Sequence, residues 1–153
     1  MGETPMKALL DEAECRRRDG ELRGYFATLP ADLASELGVA RSLVLDGHPD
    51  LAAYPLVVAH EWEPVPGRSQ FGKGDLVFAD GAGNFAVVEV KHIHLLHTNN
   101  TGKRRRLRHW HHAVAQASAY ARTLHTLLAS PVATVRAFAH TNRNGMQEIQ
   151  WMS

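Results

Sequence analysis

The first third of the chain shows helical patterns separated by turn residues. Apolar residues recur at near-helical spacing over 5–26, which predicts one helix there, although two glycines weaken its second half. The stretch ADLASEL, residues 31–37, predicts a short helix that ends at Gly38, because glycine is common just after the last helical residue. Residues 41–54 fit either a strand or a helical turn, followed by turn residues.

Apolar and β-branched runs predict five strands in the rest of the chain. The glycine-rich turn GAGN joins the second and third runs as an antiparallel pair. An apolar stripe at helical spacing predicts a long helix from about 103 to 129, between the third and fourth runs. The resulting order, α–β–β–β–α–β–β, predicts an α/β fold with a mixed central sheet flanked by helices. The five predicted strands are 54–62, 72–80, 85–93, 132–141 and 146–152.

Length and composition fit one soluble domain. The 153 residues are 44% hydrophobic and 22% charged, with a net charge of +1. No apolar run approaches the roughly 18 residues that span a membrane, and the first residues lack the apolar core of a signal peptide. The single cysteine, Cys15, cannot form an internal disulfide, which favours an intracellular location in cytoplasm, nucleus or organelle. We interpret Cys15 as a semi-buried thiol without a chemical role.

Charged residues interrupt the second and third predicted strands, where a sheet core is usually apolar. Side chains alternate along a strand, so Glu89 and Lys91 share a face, and position 75 faces roughly position 90 across the turn. Asp75, Glu89 and Lys91 can therefore meet on one side of the sheet, whereas Asp80 belongs to the other. A cross-strand salt bridge would explain the same three residues without any function.

This combination of side chains has a chemical use. Two carboxylates suit a hard divalent cation such as Mg²⁺. The cation polarises a phosphoryl oxygen and lowers the pKa of a bound water. A neighbouring lysine orients that water or offsets the charge that develops on the phosphate. The three residues therefore indicate phosphodiester hydrolysis.

The segments GKGDLVF and VVEVK resemble the PD-(D/E)XK nuclease superfamily, whose pattern is an acid on one strand and acid-x-Lys on the next. Some branches carry Gln-x-x-x-Tyr on the following helix, and QASAY matches it. The resemblance covers about 31–140 and implies a restriction-endonuclease-like αβββαβ core, within a single domain spanning 1–153 and an N-terminal helical extension over 1–30. It implies cleavage of DNA or RNA with Mg²⁺ or Mn²⁺. The implied roles are metal ligands at Asp75, Glu89 and Val90, a catalytic lysine at Lys91, and support from Gln116 and Tyr120.

Many members of this superfamily take a further acid from the first core helix. By topology, Glu36 in ADLASEL is the candidate for that position. Glu61 and Glu63 on the first predicted strand are alternatives, and the two share a strand face. We favour Glu61 as the further catalytic acid, because the sequence pattern does not fix which way the first helix faces.

The segment TGKRRRLRHWHH places five cations in 103–108, at the start of the predicted long helix. Positive charge there opposes the helix dipole, which favours a function such as phosphate binding over a merely solvated face. Trp110 is a candidate for stacking on a base. Among ten histidines, His92 and His94 could form a two-ligand zinc site, but we favour exposed or phosphate-contacting histidines. The candidate substrate-binding or supporting residues are Lys73, Lys103, Arg104, Arg105, Arg106, Arg108, Gln116 and Tyr120.

The leading hypothesis is therefore a compact nuclease without a membrane segment. A domain of this size leaves no room for a separate target-reading domain, so specificity would come from nucleic-acid shape, a homodimer or a partner protein. The alternative is a catalytically inactive nuclease-like domain that binds nucleic acid or protein. A third reading, an interaction domain with a salt-bridged hairpin, predicts that Asp75 and Glu89 lie on opposite faces or far apart.

Overall fold

The structure is a computed structural model that describes residues 6–62, 74–92, 100–142 and 145–151. Only the backbone is described at 61, 62, 74, 75, 100–103, 105, 106 and 109. The helices are α1 (Glu12–Ala27), α2 (Glu36–Leu45) and α3 (Asn100–Leu128), with 3₁₀ turns at Met6–Leu10 and Pro49–Leu51. The strands are β1 (Leu56–Trp62), β2 (Gly74–Ala79), β3 (Asn84–Lys91), β4 (Thr134–Thr141) and β5 (Gly145–Ile149).

The five strands form one mixed sheet in the order β1-β2-β3-β4-β5. The pairs β1–β2, β2–β3 and β4–β5 are antiparallel, and β3 and β4 are parallel. The α/β class and the mixed sheet predicted from the sequence are confirmed. The strand β3 lies at the centre of the sheet, and its side chains are buried from Phe85 to Val90.

Two hydrophobic cores lie on the two faces of the sheet. On one face, α3 packs against alternate residues of the central strands, including Val77, Phe85 and Val87. On the other face, α2 packs against the intervening residues, including Val88 and Val90. The two-residue alternation of the strands therefore assigns each strand residue to the α3 face or to the α2 face.

The first helix covers the free edge of β1. The Asp19 carboxylate accepts a hydrogen bond from Val57 N at 2.8 Å, and the Arg18 guanidinium donates to Val58 O at 3.4 Å. Arg23 extends the contact by donating to Pro55 O at 2.8 Å. These polar side chains satisfy backbone groups that an edge strand would otherwise offer to another chain.

The helical predictions for the first third of the chain were partly wrong. Residues 31–37 do not form a helix that ends at Gly38, because α2 begins at Glu36 and includes Gly38. The Ser35 hydroxyl caps this helix by accepting from Gly38 N at 3.0 Å. A Cβ at position 38 would lie 1.5 Å from Asp32 O, so the glycine is needed for a close backbone approach.

The predicted helix over 5–26 is divided into two elements. A 3₁₀ turn ends at Leu10, and α1 starts after Asp11, whose carboxylate accepts from Glu14 N at 3.2 Å. The α-helix then continues through both of its glycines. The N-cap signal at Asp11 therefore outweighed the continuous apolar spacing that suggested one helix.

The later elements follow the sequence pattern closely. The long helix predicted over 103–129 is α3, which begins three residues earlier. All five predicted strands occur, with ends that differ from the predicted ones by at most three residues. The apolar spacing over 103–129 includes Leu107 and Leu127, but their side chains are exposed, at 56% and 38%.

Candidate active site

Three acidic positions lie in one row across the first three strands. In the β1–β2 ladder His60 pairs with Leu76 and Trp62 with Gly74, which places Glu61 opposite Asp75. In the antiparallel β2–β3 ladder Val77 pairs with Val87 and Leu76 with Val88. Continuing this register by one residue places Asp75 opposite Glu89. The predicted partner of position 75 was therefore off by one residue. Neighbouring positions in such a row are separated by about 4.8 Å, the spacing of strands in a sheet.

Glu89 is a buried acid at the centre of the sheet. Its side chain is 2% exposed. It lies on the α3 face of β3, which it shares with Phe85 and Val87 at every second position. The side chains of Asp75 and Glu61 lie outside the described ones, so only their backbone positions are known. Burying a carboxylate costs free energy unless partners or a metal ion compensate for the lost water.

Lys91 follows Glu89 by two residues and shares its strand face. Its side chain is partly exposed, and its neighbour on β4 is Thr141, which is 1% exposed. Among the side chains that the structure describes, Glu89 and Thr141 are the buried polar ones, and they occupy the same end of the same face. Sequence reasoning missed Thr141, because threonine is also an ordinary strand residue.

The long helix returns from this end of the sheet to the opposite end. The strand β3 finishes at Lys91, whereas β4 starts in register with Asn84, and Thr134 N donates to Gly83 O at 3.0 Å. Because α3 connects these two points, its N-terminal half lies at the Lys91 end. The start of α3 therefore lies at the end of the sheet that carries the row of acids.

The Gln-x-x-x-Tyr pair lies in the half of α3 that packs on the sheet. Tyr120 is 4% exposed and belongs to the hydrophobic core on the α3 face. Gln116, one helical turn earlier, is partly exposed, but its Oε1 atom is buried without a hydrogen-bond partner among the described residues. A buried amide oxygen of this kind is expected to receive a donor from water or from a ligand.

The structure separates the candidates for the further acid. Glu36 is exposed in the first turn of α2, and the buried residues of α2 pack on the opposite face of the sheet from Glu89. Glu63 lies outside the described residues. Glu61 is the candidate that the strand register brings into the row with Asp75 and Glu89.

Val90 can contribute to a metal site only through its main-chain carbonyl group. Its side chain has no donor atom, is 1% exposed and belongs to the core on the α2 face. Its Cα partner across the parallel ladder is His140. Any metal ligand at position 90 would therefore be the main-chain carbonyl oxygen, next to Glu89 in the chain.

The basic residues at the start of α3 are exposed wherever their side chains are described. Arg104 and Arg108 are exposed, and Trp110 is partly exposed. The remaining candidates for substrate binding lie outside the described residues or side chains. These are Lys73, Lys103, Arg105 and Arg106.

Asp80 lies in the turn that joins β2 and β3. Its carboxylate accepts from Ala82 N at 2.7 Å, from Asn84 N at 3.1 Å and from Asn84 Nδ2 at 2.6 Å. Partial burial raises the pKa of Asp80, but these hydrogen bonds outweigh it and hold the pKa below its usual value. The carboxylate thus stays ionised in a structural role.

Cys15 and the histidines do not form a second site in the described part of the chain. Cys15 is fully buried, its thiol donates to Leu9 O at 3.1 Å, and burial raises its pKa to about 11. His94 lies outside the described residues. Among described side chains, which exclude Glu61 and Asp75, no three His, Cys, Asp or Glu residues are placed to hold a metal ion.

None of the helices in the described ranges is long and apolar enough to cross a membrane. Comparison of the chain with protein-family models, with curated proteins and with solved structures finds no match.

Proposed function

We propose that this protein is a metal-dependent nuclease that hydrolyses phosphodiester bonds with Mg²⁺ or Mn²⁺. The observation that carries the proposal is the burial of Glu89 at the centre of the sheet, in register with the acidic positions 75 and 61. Burying the Glu89 carboxylate costs free energy, which a cation held at these three positions would offset.

The order of elements supports a restriction-endonuclease-like core. The segment α2-β1-β2-β3-α3-β4 has the αβββαβ order that the sequence resemblance implies. The acid on β2 and the acid-x-Lys on β3 occupy adjacent antiparallel strands. In this core, ligands are held at the centre of a rigid sheet, where strand geometry fixes their spacing.

The proposed roles follow from the positions of the residues. Asp75 and Glu89 would hold the divalent cation, with the main-chain carbonyl of Val90 as a further ligand and Glu61 as the further acid. The bound cation supplies Lewis-acid polarisation of the phosphoryl oxygen and a water of lowered pKa. The Lys91 ammonium donates to the attacked phosphate or to the attacking water. Gln116 and Tyr120 support the site from α3.

The test is a cleavage assay with plasmid DNA, single-stranded DNA and RNA, in Mg²⁺, Mn²⁺ or EDTA. Wild type is expected to cut at least one substrate only with a divalent ion, and Glu89→Gln to cut none. The matched control is Glu148→Gln. It removes an exposed carboxylate on β5 that pairs with Arg136 on β4, and it is expected to leave cleavage unchanged.

The competing function is a catalytically inactive nuclease-like domain that binds nucleic acid or a protein. It predicts that wild type binds nucleic acid or protein but cuts no substrate with either ion. If wild type is inactive throughout and binds no Mn²⁺ in calorimetry, the nuclease proposal fails. Specificity from a homodimer or a partner protein would appear as cleavage that depends on concentration or on the added partner.

A further inference from the structure

The long helix has an unusual charge pattern for its length. α3 has 29 residues and contains no aspartate or glutamate, whereas its first nine residues include one lysine and four arginines. On a helix surface, a cation can pair with an acid three or four residues away. The sequence of α3 offers its cations no such acid within the helix, and the two arginines whose side chains are described there, Arg104 and Arg108, are exposed.

The first thirteen residues of α3, 100–112, form what we call the basic arm. The buried side chains of α3 begin at Ala113, and no side chain described within the arm is buried. At 1.5 Å per residue, the arm is about 20 Å long. Its exposed residues spread over about 140° of the helix circumference at 100° per residue. They are Arg104, Leu107, Arg108, His111 and His112.

We propose that the basic arm docks in the major groove of double-stranded, B-form DNA. This inference rests on the proposed nuclease function, for which it selects duplex DNA as the substrate class. The major groove of B-DNA is about 12 Å wide and accepts an α-helix, whose diameter is about 10–12 Å. The major groove of duplex RNA is too narrow for side chains to read, and a single strand has no groove.

The side chains of the basic arm suit the surfaces that line such a groove. Arg104 and Arg108 are one turn apart, so both can reach phosphates or guanine edges on one side of the arm. Leu107 lies between them in the chain, and its side chain is 56% exposed. An apolar side chain in the major groove contacts the methyl group of thymine.

The path of α3 also relates the arm to the proposed active site. The N-terminal half of α3 lies at the Lys91 end of the sheet, where Glu89 is buried. A duplex held by the arm would thus lie at the end of the sheet that carries the row of acids.

The test measures binding without cleavage, by fluorescence anisotropy in EDTA with a 24-bp DNA duplex, the matching RNA duplex and one DNA strand. Wild type is expected to bind the DNA duplex at least tenfold more tightly than either other probe. Arg104→Gln/Arg108→Gln is expected to weaken DNA binding about tenfold and to reduce the slope of log K against log salt by about 1.8. Leu107→Gln is expected to weaken binding to a probe rich in thymine more than binding to one rich in guanine and cytosine.

The matched control is Arg16→Gln/Arg17→Gln, which removes two cations from α1, where both are paired with acids. It is expected to change DNA affinity less than twofold, and circular dichroism checks that each variant is folded. Equal affinity for duplex RNA or for the single strand would overturn the inference, as would an equal loss in the α1 variant. EDTA prevents cleavage, so binding is measured independently of activity. A protein that binds the duplex tightly but cuts no substrate would reject the nuclease proposal alone. A protein that cuts nucleic acid but shows no preference for the DNA duplex would reject this inference alone.

Discussion

Two arginine-rich helices in this protein use the same side chain in different ways. In α1 all four arginines are paired with acids of the same helix: Arg16 with Glu12 at 2.9 Å, Arg17 with Glu14 and Glu21, Arg18 with Glu14, and Arg23 with Asp19. The arginines described at the start of α3 are exposed in a helix that has no acid. A run of arginines therefore indicates function only when the spacing of nearby acids is also considered.

The comparison separates stability from activity. Two of the α1 arginines hold the helix against the edge strand, since Arg18 donates to Val58 O and Arg23 donates to Pro55 O. The basic arm of α3 contributes no buried side chain among those described. Substitutions of the α1 residues that bond to the edge of β1 should therefore change the free energy of unfolding, and substitutions near the start of α3 should change binding or cleavage.

The largest effect on cleavage is expected for Lys91→Ala, at the end of the sheet where α3 begins. Loss of the ammonium is expected to lower the cleavage rate about a hundredfold or more, because it removes charge stabilisation made in the transition state. Because Lys91 is partly exposed, the urea midpoint should change little. Initial rates and urea melts of the same preparations check this, and a rate within threefold of wild type would contradict the role of Lys91.

The reverse outcome is expected for Asp19→Ala in α1. This substitution leaves Val57 N without its acceptor and removes the partner of Arg23, so unfolding should be easier by about 2 kcal/mol. Cleavage per folded molecule should stay at the wild-type level. A loss of cleavage without a loss of stability would break the distinction between the two helices.

Acid should weaken the contacts of α1 in a defined pH window. Hydrogen bonds from Arg17 and then Arg18 lower the pKa of Glu14 to about 2, from its usual value of 4.5. The folded state therefore favours the ionised carboxylate, so its stabilisation is present above pH 4.5 and is lost between pH 4.5 and about 2. As the pH falls through this window, the urea midpoint should decrease less for Glu14→Gln than for wild type. An equal decrease in both proteins would contradict the pairing of Glu14 with the two arginines.

The smallest effect is expected for Arg16→Gln. Its ion pair with Glu12 is exposed on both sides, at 64% and 58%, and such pairs contribute about 0.5 kcal/mol or less. Thermal unfolding and DNA binding should both match wild type. A larger loss of stability would show that the comparison understates the network on α1.

The sequence predicted the sheet better than the first helices. The apolar run FAVVEVK identified the central strand, which is buried on both faces from Phe85 to Val90. The two-residue period of a strand then assigned Glu89 and Lys91 to one face. The start of α2 was missed because Gly38 was interpreted as a helix end. Its real role, a close approach to Asp32 O, depends on a contact that no local pattern contains.

The candidate site shows the same limit. The strand alternation placed Asp75, Glu89 and Lys91 on one side, but the exact partner of position 75 depends on the turn that sets the register. The sequence favoured Glu61 over Glu36 without the packing of α2 on the opposite face of the sheet from Glu89, a contact that no local pattern contains. The packing of α1 on the edge of β1 was not predicted. It depends on contacts between residues far apart in the chain, such as the hydrogen bond from Val57 N to the Asp19 carboxylate, 38 positions away.

The most direct test of the central claim is the location of a bound divalent ion. Crystals grown with Mn²⁺ and measured for its anomalous scattering should show a peak about 2.2 Å from a carboxylate oxygen of Glu89, with Asp75 as the second ligand. The peak should disappear in Glu89→Gln and persist in Glu148→Gln. No peak at Glu89 in wild-type crystals, at Mn²⁺ concentrations that support cleavage, would contradict the account.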